Sequence, residues 1–322
     1  MKKLLIFLIV FISFFLGGCR TSSEPITVSD FALDTYVSVT VYDARHEDTA
    51  RKALDLCSDY ELLFSMTNPQ STLYELNHSG FLKDSVELSD IIYGALEYCR
   101  ISHGALDITV SPLSSLWDFT SAAPSVPDNN DITDALKTVS YDNVSLIDNA
   151  ITLQNGASID LGAVAKGYIA DAMRDYLVEN GVKSAIIRLG GNILCIGSKP
   201  DGSDYAIGIE KPFYAGEVSE CLLVSDYSVV TSGIYQRYFE ENGILYHHII
   251  DPSTGYPVEN NLYSVTIVSS SSFTADCLST ACFVLGLEEG IALLDTIDNA
   301  YGIFITSDYE IYYSEGAEQF IK

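Results

Sequence analysis

Residues 157–181 read ASIDLGAVAKGYIADAMRDYLVENG, and residues 184–197 follow as SAIIRLGGNILCIG. The first stretch begins as a short apolar strand and turns at Gly162. It continues as a helix from about Ala163 to Glu179, stopped by Gly181. The second stretch is a strand, a Gly190-Gly191 break and another strand. More strands come without intervening helices: LLVSDYSVVTSG (222–233), ILYHHII (244–250) and LYSVTIVSS (262–270). SFTADCLSTACFVLG (272–286) then opens with a Ser/Thr cap and runs on as an apolar helix. Strands in runs, with helices interspersed, favour an α+β fold over a regularly alternating parallel one.

Upstream, VSVTVYD (37–43) alternates like a half-buried strand. Residues 47–64 space Ala50, Ala53, Leu54, Cys57 and Leu62 as a helix would, and a second helix is expected over Ser89 to Ser102. SAAPSVPDNN (121–130) has the Pro and Asn content of an insertion or a lid. No boundary stands out within 27–322, so one domain is expected there. The 322 residues suffice for a sizeable core, and 48% of them are apolar, so the chain is globular. A net charge of −27 leaves no basic stripe for a phosphate backbone and excludes nucleic acid as a partner. A smaller anionic ligand would need a metal ion or a few well-placed donors.

Lys2 and Lys3 precede an apolar run, Leu4 to Leu16, broken only by Ser13. That length fits a signal peptide better than a membrane span. It ends in Leu16-Gly17-Gly18-Cys19, which resembles a bacterial lipobox. Residues 1–18 are therefore expected to be a lipoprotein signal, Cys19 the lipidated first residue, and 19–26 a tether. The domain would sit on the extracytoplasmic face of the membrane, held by its lipid alone. Cys57, Cys99, Cys195, Cys221, Cys277 and Cys282 mostly lie in apolar runs and form no CxxC pair. Buried free thiols are expected rather than disulfides or a zinc site.

Five stretches can carry chemistry. Asp276 and Thr280 share a helix face, and two oxygen ligands there suit a hard cation such as Mg²⁺. Spacing alone is equally compatible with Thr274 or Asp276 capping the helix and Thr280 bonding its own backbone. Asp160 ends a strand and Lys166 lies in the first turns of the next helix, whose N-terminus suits a phosphate. They read equally as a turn aspartate and a surface lysine. Gly190-Gly191 inside a strand pattern suggests a bulge or a close approach by something bound. Asp107, in GALDITVSPL (104–113), either binds a ligand or ties down a loop. In YHHIIDPSTGYP (246–257), strand alternation puts Tyr246, His248 and Ile250 on one face and His247 on the other. The two histidines therefore cannot clasp one metal, and either can be a general base near neutral pH.

GALDITVSPL, IDLGAVAKGYIAD, RLGGNI, SGIYQRYF, YHHIIDPSTGYP and TADCLSTACFVLG, in this order over nearly the whole chain after Thr27, resemble the ApbE family of FAD:protein FMN transferases. The resemblance implies one T-fold-related α+β domain of mixed and antiparallel sheets with flanking helices, holding FAD near Mg²⁺. It implies Asp276 and Thr280 as metal ligands, with Ala163 contributing through its carbonyl. Asp160, Lys166, Ala105, Leu106, Asp107 and Ile250 match FAD-contacting positions, and His248 matches the base. Leu33-Asp34-Thr35 stands where an MGT-like stretch is frequent, so Leu33 keeps an apolar FAD contact while Asp replaces Gly. Thr67 occupies a position that is often a stacking aromatic, and Tyr74 could substitute. The implied reaction is attack on the FAD pyrophosphate by a Thr or Ser hydroxyl of an extracytoplasmic target, of the electron-transfer subunit type, releasing AMP. Hydrolysis of FAD to FMN and AMP is the alternative. A solute-binding lipoprotein is another, although two comparable lobes are not evident.

Overall fold

Val37, Val39 and Val41 have no exposed surface, while Ser38 and Thr40 between them turn the other way. That alternation places one face of their strand on a helical layer, and it repeats along the sheet. The structure, a computed structural model, describes residues 24–322, so the leader and Cys19 lie outside the described residues. In chain order the elements begin with β1 (Ile26–Ala32), β2 (Thr35–Val41), α1 (Glu47–Phe64), α2 (Thr72–Ser79), β3 (Phe81–Leu82) and α3 (Val86–Ile101). Next come α4 (Ser111–Trp117), α5 (Asn129–Leu136), β4 (Val144–Ile147), β5 (Ala150–Leu153) and α6 (Ala165–Glu179). The strands β6 (Ala185–Leu189), β7 (Asn192–Ile196), β8 (Tyr205–Glu210), β9 (Val218–Val224) and β10 (Ser228–Gly233) follow. The chain continues with β11 (Tyr238–Glu241), β12 (Ile244–His247) and β13 (Leu262–Ser269). It closes with α7 (Ser272–Leu285), α8 (Leu287–Leu294), β14 (Ala300–Thr306) and β15 (Ile311–Tyr313).

Eight strands form one antiparallel sheet in the order β1-β2-β6-β7-β10-β13-β14-β15. The architecture is α+β, as the sequence suggests. One core packs Val37, Val39, Ala185 and Ile187 against Ala53, Ile92 and Ile169 from α1, α3 and α6. Under α7 and α8 a second core gathers Val265, Ile267, Leu278 and Phe304. The β8–β9 hairpin covers the opposite face through Ile207, Leu222, Val229 and Ile303. A satellite cluster of Leu113, Trp117, Ile132 and Ile250 joins α4 and α5 to the β11–β12 ribbon. Asp171 of α6 ties the helical layer together. Its carboxylate accepts the Ser272 and Phe273 amides, both at 3.0 Å, and so caps α7 alongside Ser271.

Three boundaries differ from the sequence reading. The helix expected from Ser89 begins at Val86, with Leu88 extending its buried stripe and Val86 exposed in the first turn. The helix expected from Ala163 begins at Ala165, with Ala163 in the turn before it. The strand carrying the two histidines ends at His247, so alternation does not govern where Ile250 points. Residues 121–128 form the expected loop, pinned where Glu241 accepts the Val126 amide at 3.1 Å. All six cysteines after Cys19 are free, and five are buried.

Candidate functional site

The candidate site is built where α6 and α7 meet. The Gly167 N–H lies in the first turn of α6, where an amide has no partner within its own helix. Here it donates instead to Oδ2 of Asp276 at 2.7 Å. No donor among the described residues takes the Ala163 carbonyl. Gly167 is required at this crossing. A Cβ there would stand 2.4 Å from the Ser272 carbonyl and 2.7 Å from the Asp276 Cβ. Asp276 is therefore not a cap; it is a buried carboxylate drawn against the start of another helix. Burial raises its pKa, offset in part by the Lys166 charge and the Gly167 N–H. Thr280, one turn on, has its hydroxyl 3.3 Å from that of Ser232 in β10, which also meets Ser279 at 2.8 Å.

Asp160 fixes the turn leading into α6. Its Oδ1 accepts the Gly162 amide at 2.8 Å and its Oδ2 the Ser114 hydroxyl at 2.7 Å. Lys166 curls back to donate to the Gly162 carbonyl at 3.1 Å. The Asp160 amide donates to the Ile108 carbonyl at 2.8 Å, joining this turn to the segment containing Ala105, Leu106 and Asp107. Within that segment Leu106 is buried, and its amide meets the Ser102 hydroxyl at 3.1 Å. Asp107 ties down the loop. Its carboxylate accepts the Thr109 amide and hydroxyl at 2.7 and 2.6 Å and the Tyr141 amide at 2.9 Å. Burial still holds its pKa above the usual range.

The far wall carries the histidines. His247 is buried with both ring nitrogens engaged, Nε2 with the Val258 carbonyl at 3.0 Å and Nδ1 with the Ile249 amide at 3.3 Å. Its ring meets Phe283 edge-on, and burial pushes its pKa down to about 4. His248 is half-buried, and the Arg237 carbonyl lies 3.1 Å from its amide and 3.2 Å from its Nδ1. With Nδ1–H as donor, the Nε2 lone pair is left for other work. Desolvation, with smaller contributions from neighbouring charges including Arg237 and Lys166, lowers its pKa to about 3, so the ring is neutral near pH 7. Ile250 enters the satellite cluster beside Trp117. Trp117 Nε1 donates to the Gly255 carbonyl at 2.8 Å. Gly255, at φ +76°, packs where a Cβ would stand 2.6 Å from Ile132, so the Asp251–Gly255 turn is locked onto α4 and α5.

Leu33 and Asp34 form the two-residue turn between β1 and β2 with φ of +55° and +56°, a type I′ geometry. Asp tolerates this region, which accounts for its standing where Gly is frequent. Arg237 reaches across to the Asp34 carbonyl, its Nη2 at 3.5 Å. The expected residues thus fall in local groups: Asp34 with Arg237 and His248, Asp276 with the start of α6, Thr280 with Ser232, and Asp160 with Ser114 and Ile108. Tyr74 instead stacks on His78, with ring centroids 3.8 Å apart. A separate groove of about 560 Å³ opens against His247, Leu245 and Tyr263, and contains none of the residues expected to bind. Sequence reasoning passed over Gly167, Ser114, Ser232 and Arg237. The last two lie in or beside the quoted SGIYQRYF, which was the available signal.

Among the described residues no three His, Cys, Asp or Glu side chains are grouped to hold a metal ion. The available donors are instead a buried carboxylate, a hydroxyl and an unpaired carbonyl. That all-oxygen set fits a hard cation, which would also relieve the burial of the Asp276 charge.

Residues 33–304 match the model of the ApbE family. An FAD:protein FMN transferase of Klebsiella pneumoniae is 36% identical over 273 residues, covering 82% of this chain and 84% of that protein. One from Treponema pallidum is 32% identical over 326 residues, covering 93% and 90%. The crystal structure of the ApbE protein of Thermotoga maritima superposes with a TM-score of 0.87 at 31% identity, over 93% of this chain and all of that one. The flavin transferase ApbE of Vibrio cholerae gives 0.82 at 27%, over 92% and 99%.

Proposed function

The chain belongs to the ApbE family, and from that premise we propose that it transfers FMN from FAD to a Ser or Thr hydroxyl of a target protein and releases AMP. The acceptor oxygen bonds to the flavin-side phosphorus, and the bridging P–O bond breaks. The bridging oxygen leaves with AMP, and the acceptor proton passes to Nε2 of His248. The observation that carries this reading is the contact of His248 Nδ1 with the Arg237 carbonyl, which leaves Nε2 free on a ring that feels the charge of Lys166, as Asp276 does.

Asp276, Thr280 and the Ala163 carbonyl would hold Mg²⁺. When bound, it supplies positive charge to a diphosphate in a chain that carries little of its own. Asp160 and Lys166 shape the turn beneath that diphosphate, and Leu33, Ala105, Leu106, Asp107 and Ile250 border the flavin. The leader and Cys19 support an enzyme tethered by lipid to the extracytoplasmic face of the membrane, whose acceptors are electron-transfer subunits there.

The test mixes the purified protein, FAD, Mg²⁺ and extracytoplasmic electron-transfer subunits of the same genome. Mass spectrometry should find an acceptor heavier by one FMN, with AMP released in step. AMP release at the same rate without an acceptor would identify a hydrolase instead.

A further inference from the structure

The sequence holds 44 acidic side chains against 17 Lys and Arg. In such surroundings an arginine ordinarily finds a carboxylate. Arg45, Arg51, Arg100 and Arg174 all do. Arg188 of β6 has no carboxylate partner among the described residues, and neither does Arg237, whose exposed side chain follows the carbonyl that holds His248. The Arg237 guanidinium keeps only one long hydrogen bond, the 3.5 Å contact to the Asp34 carbonyl. Its backbone is much more firmly placed. The Arg237 carbonyl accepts from the amide of His248 and from its Nδ1. Next to it, Gln236 is anchored by a 3.0 Å bond from Nε2 to the Thr231 carbonyl. A planar, five-donor cation is thus held beside the proposed base and across from the Leu33–Asp34 turn, with most of its donors unused.

We propose that Arg237 is a diphosphate-recognition residue, whose guanidinium grips the phosphates of a dinucleotide. The inference rests on the transfer reading above and extends it. A forked N–H pair matches two oxygens of a phosphate, whose charge the acidic surroundings otherwise leave unmet. One residue would then orient the base by its main chain and hold the substrate's phosphates by its side chain.

The experiment measures equilibrium binding of ADP, FAD and riboflavin, with Mg²⁺ present, to the wild-type protein, Arg237→Ala and Arg237→Lys. Losing a charge-assisted pair should weaken ADP and FAD roughly 10–100-fold in Arg237→Ala, with riboflavin nearly unchanged and Arg237→Lys restoring part of the loss. Equal weakening of riboflavin and ADP would mean that Arg237 merely shapes the loop, and undiminished ADP binding would also overturn the inference. If the wild-type protein bound neither FAD nor ADP, the transfer reading would fall with it. If it bound both and Arg237→Ala matched it, only the role of Arg237 would fall.

Discussion

The Gly167 amide and Oδ2 of Asp276 lie 2.7 Å apart although 109 positions separate them in the chain. That bond joins two helices and sets a buried carboxylate of α7 against a first-turn amide of α6.

Gly167→Ala should therefore act at a distance. The new methyl meets the Ser272 backbone and must push α7 away, an overpacking cost of about 1–3 kcal/mol. Denaturant unfolding should report that loss, and stabilisation by Mg²⁺ should shrink with it. A variant as stable and as responsive to Mg²⁺ as the parent would show that the crossing has slack.

Asp276→Asn separates charge from packing. The amide oxygen can still accept from Gly167, so the fold and the helix crossing should persist. Mg²⁺ should raise the melting temperature of the wild type but not of this variant, and transfer should be lost. Asp276→Ala should likewise abolish transfer while leaving a folded protein. Undiminished flavinylation of an acceptor, followed by in-gel fluorescence, would remove the metal assignment.

The neighbouring histidines should part company. His248→Ala removes the free Nε2 and should slow transfer by roughly 100-fold or more with little change in stability. His247→Ala strips a buried ring from the Val258 carbonyl and Phe283, and should cost about 2–3 kcal/mol of stability. Comparable rate losses in the two variants would dissolve the distinction.

Acid should weaken the fold through His247. Above pH 6.5 the ring is neutral in both folded and unfolded chains. Between 6.5 and about 4 the unfolded chain takes up a proton that the buried ring refuses, so stability falls as pH falls. The gap corresponds to about 3 kcal/mol at its full extent. His247→Gln, which does not titrate, should show a shallower decline across that window in chemical denaturation. An unchanged slope would mean that the ring is not sequestered.

Much of this was legible in the residues themselves. The bounds read for 47–64 match α1, and Ala50, Ala53, Leu54 and Cys57 of its stripe are buried, but Leu62 is exposed and Phe64 takes the core position near the helix end. The β12 boundary was not legible to the residue. The Asp251–Gly255 turn and the Trp117 bond to Gly255 pull Ile250 out of the ladder, and both depend on α4, far upstream. In the site, the i, i+4 spacing of Asp276 and Thr280 marks a shared face but cannot choose between a cap and a ligand pair. Asp171 and Ser271 take the capping work and leave Asp276 free to face Gly167. That choice is made by contacts between helices, which have no local signature.

The Ala163 carbonyl has a genetic consequence. Its oxygen belongs to the main chain, so nearly every substitution at position 163 would carry it along unchanged. A saturation scan should find position 163 permissive while position 167 tolerates almost nothing. The oxygen would thus be genetically silent at its own position, and the glycine beneath Asp276 would mark the site in its place.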